Sequence, residues 1–302
     1  MSEEPPGEPD LFAAWTEQLS GWGIPDEILV TAPAEPWHFP TKVFAHRARE
    51  QSARPEGTRG PSYQRAAEAL PPGGSVLDVG SGAGAASLPL ASGRMPGGQR
   101  AGSITAVDSD PGMLEALSDL AAAHAGLTLE TVTGAWPAVA HEVGPADVVV
   151  CHHVLYNVQD LRPFVEALTV HARRRVVVEL TEHHPLEPMN PLWERFWSLS
   201  RPDGPTAYDA AAAIASLGLA VTTEQRAAAP LHVYDSFEEM VAFHRRRLCL
   251  PASADPEVGE ALIGLGVDPG HPVGLGAGRQ LITLWWDTEG EGALARWIKK
   301  NG

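Results

Sequence analysis

The feature that most limits the folds open to this chain is the segment Val76-Leu77-Asp78-Val79-Gly80-Ser81-Gly82-Ala83-Gly84-Ala85-Ala86. A short apolar run ends in glycines on alternate positions, and a helix-compatible stretch follows. Glycine is needed where the chain turns with positive φ, or where a bound molecule must touch backbone with no Cβ between. A strand feeding such a turn and then a helix opens a parallel α/β unit, with N–H groups left facing a ligand. Downstream, strand-like runs at 103–107, 127–132, 147–151, 176–180, 219–224 and 280–286 alternate with helical patterns. Those helical patterns cover roughly 85–92, 111–124, 160–172, 207–217, 236–248 and 256–264. Val148-Val149-Val150 shows no polar alternation, as a strand buried on both faces requires. The expectation is a Rossmann-like, doubly wound α/β fold, its mostly parallel sheet covered by helices on both faces.

Where the alternation starts sets the expected division. Residues 1–60 read as an acidic tail and helical cap: Asp10 starts a helix with Leu11, Phe12, Trp15 and Leu19 on one face, and a stretch with Trp37, His38 and Phe39 follows. Residues 61–302 read as the α/β domain, with insertions at 181–206 and 230–270. The first insertion interleaves Pro185, Pro188, Pro191, Pro202 and Pro205 with Trp193, Phe196 and Trp197, whose spacing predicts a short helix. The second opens with a capping box, Ser236 and Glu239. Together with Trp37–Phe39, the first insertion is expected to form an aromatic lid over an apolar pocket.

Charge and cysteines narrow the function classes. The chain has 22 Lys+Arg against 38 Asp+Glu and a formal charge of −16. That opposes a surface built to neutralise nucleic-acid phosphates or to sit on an acidic membrane. Arg173-Arg174-Arg175 and Arg245-Arg246-Arg247 each follow a predicted helix, where cations suit the negative end of the dipole. Cys151 and Cys249 are too few for a disulfide framework or a cysteine metal site and suit a reducing compartment. No apolar run approaches the ~20 residues needed to span a bilayer, and the N-terminal residues lack a signal-peptide pattern. A cytoplasmic protein with no membrane partner is expected; nothing in the pattern sets an oligomeric state.

The ligand of the glycine turn is decided by its neighbours. Asp108 ends the second predicted strand, where a carboxylate suits two vicinal ribose hydroxyls. Its distance from Gly80 exceeds the usual ~20 residues, and the excess lies in the turn-rich segment 93–102. The turn fits a nicotinamide-dinucleotide pattern, G-x-G-x-x-A, and equally D-x-G-x-G-x-G beginning at Asp78. Asp78 discriminates: it would repel a pyrophosphate and attract the ammonium of an amino-acid tail. S-adenosylmethionine has that tail and no phosphate.

On these residues, and over about 61–181, the chain resembles the class I S-adenosylmethionine-dependent methyltransferase family. The resemblance implies a seven-stranded sheet whose last strand is antiparallel and pairs with the sixth. It implies that Asp78, Gly80, Ser81, Gly82 and Gly84 hold the amino-acid half of S-adenosylmethionine, and that Asp108 and Ser109 hold the ribose. Met113, with Ala135 and Trp136, would contact the adenine, and His152 would lie at the cofactor's edge. The family often has a carboxylate after the third strand; Gly134-Ala135-Trp136-Pro137 has none, so Trp136 stacking or a backbone carbonyl is expected in its place.

In the family's strand order the fourth and fifth strands are neighbours, which gathers Cys151-His152-His153-Val154-Leu155-Tyr156-Asn157 and Glu179-Leu180-Thr181-Glu182-His183-His184 near the methyl group. An imidazole can take a proton from a phenol, hydroxyl or amine at neutral pH. His152, His153 and His183 are the candidate bases, and Tyr156 and Asn157 would orient the acceptor. The plain alternative is that these residues cap strand ends. Metal ligation by the histidines with Glu182 is set aside because side chains of adjacent residues diverge. Cys151 reads as a small buried hydrophobe. The expected function is methyl transfer to oxygen or nitrogen of a small, apolar or aromatic acceptor. The alternatives are an NAD(P)-dependent oxidoreductase, opposed by Asp78 and lacking a Tyr-x-x-x-Lys pair; a methyltransferase of protein or RNA; and a non-catalytic binder.

Overall fold

In the computed structural model the described residues are 10–37, 41–55, 58–92, 100–228, 234–276 and 278–288. The acidic tail 1–9, His38 and Phe39, and most of the 93–102 segment lie outside them. Seven strands, β1 (Ser75–Val79), β2 (Ser103–Asp108), β3 (Thr128–Thr133), β4 (Ala146–His152), β5 (Ala172–Thr181), β6 (Thr222–Ala227) and β7 (Gln280–Asp287), form one sheet. Their order is β3-β2-β1-β4-β5-β7-β6. β1 to β5 pair in parallel, and β7 runs antiparallel between β5 and β6. This is the doubly wound sheet expected, with the reversed seventh strand slotted between the fifth and sixth. Strand order reverses between β1 and β4, so a crevice opens at their carboxyl ends.

Alternate strand residues point to opposite faces and nucleate two cores. Leu77, Val79, Val149, Cys151 and Val178 pack with α1 (Leu11–Ser20), α7 (Leu161–His171) and α9 (Ala207–Ser216). Val76, Ile104, Val148, Val150 and Val177 pack with α4 (Pro61–Ala69), α5 (Leu88–Ala91) and α6 (Pro111–Ala121). A third cluster joins α2 (Asp26–Leu29), α8 (Asn190–Trp197), α10 (Phe237–Arg247) and α11 (Asp255–Gly264) through Ile28, Leu192, Trp193, Met240 and Leu262. α1 and α2 are therefore not packed apart from the α/β domain. α1 completes the sheet core, with Trp15 Nε1 donating to Val158 O at 2.8 Å. α2 completes the cluster built by the two insertions.

Four local expectations change. The helix after the glycines is only Leu88–Ala91, because turns continue through Ser87 and Pro89 then sits in its first turn. β6 lies three residues later than its apolar run. β5 starts at Ala172, so Arg173–Arg175 belong to a strand rather than a helix end; Arg175 pairs with Asp287 of β7 at 2.6 Å. Finally, α3 (Thr41–Ala53) and α4 were not foreseen, and both wall the site. Among the described residues no helix is long and apolar enough to cross a membrane.

Candidate active site

A cavity of about 500 Å³ opens over the carboxyl ends of β2, β1, β4 and β5. At its β1/β2 end the chain turns through Gly80, Gly82 and Gly84, all at positive φ. Val107 O accepts the N–H of both Gly80 (2.8 Å) and Ser81 (3.0 Å), pinning the turn to β2. The glycines differ in use. A Cβ on Gly80 would overlap Val154, whereas at Gly82 the nearest atom is Phe44 Cδ1 at 3.9 Å. Gly80 thus serves packing, and Gly82 leaves backbone open to a ligand. Gly82 N–H donates to Asp108 Oδ2 (2.8 Å) and Asp110 N–H to Asp108 Oδ1 (2.9 Å). One carboxylate therefore ties the glycine turn to Asp110, the N-cap of α6, with lone pairs left for hydroxyl donors.

Asp78 is buried, and no hydrogen bond of good geometry reaches its carboxylate oxygens or Ser87 Oγ; the Ser87 hydroxyl and N–H are the groups that face it. Burial pushes its carboxyl up to about 7; Asp108 adds to this and the nearby Ser87 opposes it. A buried acid with no hydrogen bond of its own, on a cavity wall, is one that a cation could satisfy. Ser109, Met113, Ala135 and Trp136 continue the wall. Trp136 Nε1 points away, to Phe164 O at 3.3 Å, so the indole offers the cavity its ring.

The β4/β5 end is different in kind. His152 and His153 line it with Asn157, Glu179, Arg226 and Ser62. Glu179 is buried and held by its neighbours: Ser62 Oγ donates to Oε2 at 2.7 Å and Arg226 Nη2 at 3.1 Å. Burial alone would raise its carboxyl, but His152, His153, Arg226 and the Ser62 hydroxyl together hold it below the ordinary range. Gly60 makes the reach of Arg226 possible, since a Cβ there would overlap the guanidinium. Desolvation, against the pull of Glu179, lowers His152 and, with Arg47 and Arg226 adding, lowers His153, although the His153 side chain keeps 43% of its surface exposed. Both rings are neutral near pH 7, and His152 Nε2 is buried without a partner.

Two expected catalytic residues lie elsewhere. His183 is exposed and does not line the cavity. Tyr156 is buried; its hydroxyl donates to Thr181 O (2.8 Å) and Glu182 O (2.9 Å), and its ring stacks on Trp15. It ties the end of β5 to the chain after β4. Burial and the acids Asp209 and Glu182 push its phenol up, away from any acid–base range. His184 is spent in a stack on Trp22 at 3.9 Å. The aromatic insertion also stands off: Trp193 is in the third cluster, and Trp197 Nε1 donates to Leu248 O at 2.7 Å. The wall it was expected to supply comes instead from α3 and α4, through Phe44, Arg47, Ser62 and Tyr63. Ser62, Arg47 and Arg226 carry no local motif and were missed; only the Gly60-Pro61 helix start signals that part of the wall.

Residues 76–174 match the family model described as a methyltransferase domain, from β1 into β5. No curated protein matches the chain. Among solved structures it is similar to magnesium protoporphyrin IX methyltransferase from Synechocystis with bound SAH, at 19% identity over 61% of this chain and 77% of that chain, TM-score 0.44. It is similar to the YcgJ protein from Bacillus subtilis, at 16% identity over 81% of this chain and 99% of that chain, TM-score 0.46. It is similar also to the plantazolicin methyltransferase BamL in complex with a triazolic desmethylPZN analog and SAH, at 14% identity over 92% of this chain and 100% of that chain, TM-score 0.47. The matched segment, which holds the glycine turn, Asp78 and Asp108, is a methyltransferase domain.

Proposed function

We propose that this protein transfers the methyl group of S-adenosylmethionine to an oxygen or nitrogen of a small organic acceptor. The observation that carries the reading is Asp78, a buried and unpartnered acid beside a glycine turn with open space at Gly82. In this reading Asp78 meets the ammonium, with Gly80, Ser81, Gly82 and Gly84 as its backbone cradle. Asp108 and Ser109 take the ribose, and Met113, Ala135 and Trp136 the adenine. When bound, the cofactor supplies a methyl carbon already activated by a sulfonium. The chain's own tasks are to align an acceptor in line with that carbon, exclude water and take a proton. His152 and His153, neutral and on the cavity wall, suit the last task.

The acceptor end mixes Phe44 and Tyr63 with Arg47, Glu179 and two histidines. This supports a ring-bearing acceptor with a polar group more than a wholly apolar one. The formal charge of −16 opposes an RNA acceptor, and the buried free thiols of Cys151 and Cys249 fit a cytoplasmic setting. Thermal shift with S-adenosylhomocysteine and with NADH tests the core of the proposal. Stabilisation by the first alone is expected; stabilisation by NADH alone overturns the reading. Methyl-labelled S-adenosylmethionine, offered with phenols, amines and carboxylic acids, then defines the acceptor.

A further inference from the structure

We infer that Glu179 is a positioning residue that sets His153 as the base for an acceptor whose attacking atom carries a proton; the inference rests on the methyl-transfer reading and deepens it. The argument starts from how unequally the two oxygens of Glu179 are used. Ser62 Oγ (2.7 Å) and Arg226 Nη2 (3.1 Å) both donate to Oε2, which fixes the carboxylate plane. Oε1 keeps only a longer contact to the same guanidinium (3.3 Å) and faces His153 Nε2 at 3.7 Å. At 3.7 Å the carboxylate already favours a proton on Nε2 over one on Nδ1, and a sub-ångström movement of the ring turns that attraction into a hydrogen bond when an acceptor binds.

The backbone makes the same pairing. His153 N–H donates to Glu179 O at 2.6 Å, and His153 sits at φ +60. A left-handed residue is strained unless its surroundings demand it. Here the departure from strand geometry turns the chain immediately after β4. Consecutive side chains of a continued strand would point to opposite faces; instead His152 and His153 both line the cavity. The turn is bonded to the very residue whose carboxylate faces the ring.

An Nε2–H directed at Glu179 leaves Nδ1 unprotonated and able to accept. In the transfer, an acceptor lone pair forms the bond to the methyl carbon. The carbon–sulfur bond breaks with its electron pair left on sulfur. The acceptor's proton passes to His153 Nδ1, and the resulting imidazolium is balanced by the Glu179 carboxylate. An ionised carboxylate is needed for this, and His152, His153, Arg226 and Ser62 together favour the ionised form of Glu179 despite its burial. The charged or titratable groups around His153 are His152 on β4, Glu179 on β5, Arg226 on β6 and Arg47 on α3. Glu179 alone among them favours the protonated ring.

Nitrogen-15 NMR of histidine-labelled protein tests this with no acceptor required, His153 being assigned through His153→Asn. The wild type is expected to hold His153 as the Nε2–H tautomer, with or without S-adenosylhomocysteine. Glu179→Gln is expected to lower the proton affinity of His153 at least tenfold, while Glu179→Asp, which keeps the charge, restores most of it. An Nδ1–H tautomer in the wild type overturns the proposal even if neither variant folds. So does a His153 titration unchanged by Glu179→Gln. Calorimetry with S-adenosylhomocysteine on the same wild-type sample separates the two readings: absent binding sinks methyl transfer, whereas the tautomer decides the role of Glu179.

Discussion

The two ends of the cavity treat buried charge in opposite ways. Over β1 and β2, Asp78 is left without a partner, and the glycine turn around it is held by main-chain bonds and by Asp108. Over β4 and β5, Glu179 is paired by Ser62 and Arg226, side chains brought from α4 and β6. An acid the fold leaves unsatisfied is one a ligand satisfies, because burial without a partner is costly. An acid the fold satisfies is available to orient something else. On the proposed reading, the first end binds and the second positions.

The largest expected effect tests whether the glycines of the first end are equivalent. Gly80→Ala combines a positive φ with overlap on Val154 and is expected to cost about 3 kcal/mol of folding stability, read from denaturant unfolding. Gly82→Ala faces open space but shares the positive φ, so it should cost only about 1 kcal/mol of stability while weakening S-adenosylhomocysteine. Equal losses of stability would erase the distinction between packing and ligand roles.

Next comes Asp78→Asn, expected to weaken S-adenosylhomocysteine about 100-fold by calorimetry, the scale of a lost charge-assisted contact. The free variant should melt no lower than the wild type, because it buries no charge. The same residue gives the first end a pH signature. Folding raises the Asp78 carboxyl from its ordinary range to about 7. The native state therefore binds more protons than the unfolded chain between about 4 and 7. This group's contribution to stability is lost as pH rises through that window. A ligand ammonium reverses the loss, so the thermal shift with S-adenosylhomocysteine should be larger at pH 8 than at pH 6. The second end runs the other way. His153, lowered to about 4, stabilises the fold above its ordinary value and loses that contribution as pH falls. A thermal shift that grows toward acid would contradict the assignment of Asp78.

Asp108→Ala should cost about tenfold in cofactor affinity, less than Asp78→Asn, with only a modest fall in melting temperature. At the second end, Tyr156→Phe removes the bond to two carbonyls and should cost about 1 kcal/mol of stability, with turnover on any identified acceptor intact. His183→Ala should be the smallest, within about 0.5 kcal/mol and without effect on turnover. A tenfold loss of turnover in either would restore these residues to the chemistry.

The same contrast explains what could be read from the residues alone. The cofactor end is written in one contiguous turn, and Asp108 follows from strand order. The acceptor end assembles Arg47, Ser62, His153, Glu179 and Arg226 from five elements, and no spacing rule joins them. α3 escaped because the face it buries is made of Ala45 and Ala48, which leave no apolar stripe in an otherwise polar segment. Arg173–Arg175 misled for a related reason: the rule that places cations at helix ends is local, whereas Asp287, which pairs with Arg175, arrives from β7. Aromatic residues in 181–206 did mark a short helix, α8, but aromatic content says nothing about which wall it faces. Trp193 and Trp197 went to the helical cluster.

The place of β7 has a consequence for synthesis. Among the described residues β6 bonds to no other strand than β7, and β7 is made after it. While the ribosome is still adding residues 228–279, Arg226 has no strand to ride on and Glu179 waits half-paired. The glycine turn, by contrast, has β1, β2 and β4 in hand much earlier. On the proposed roles, strand placement alone would complete the cofactor end of a nascent chain before its acceptor end.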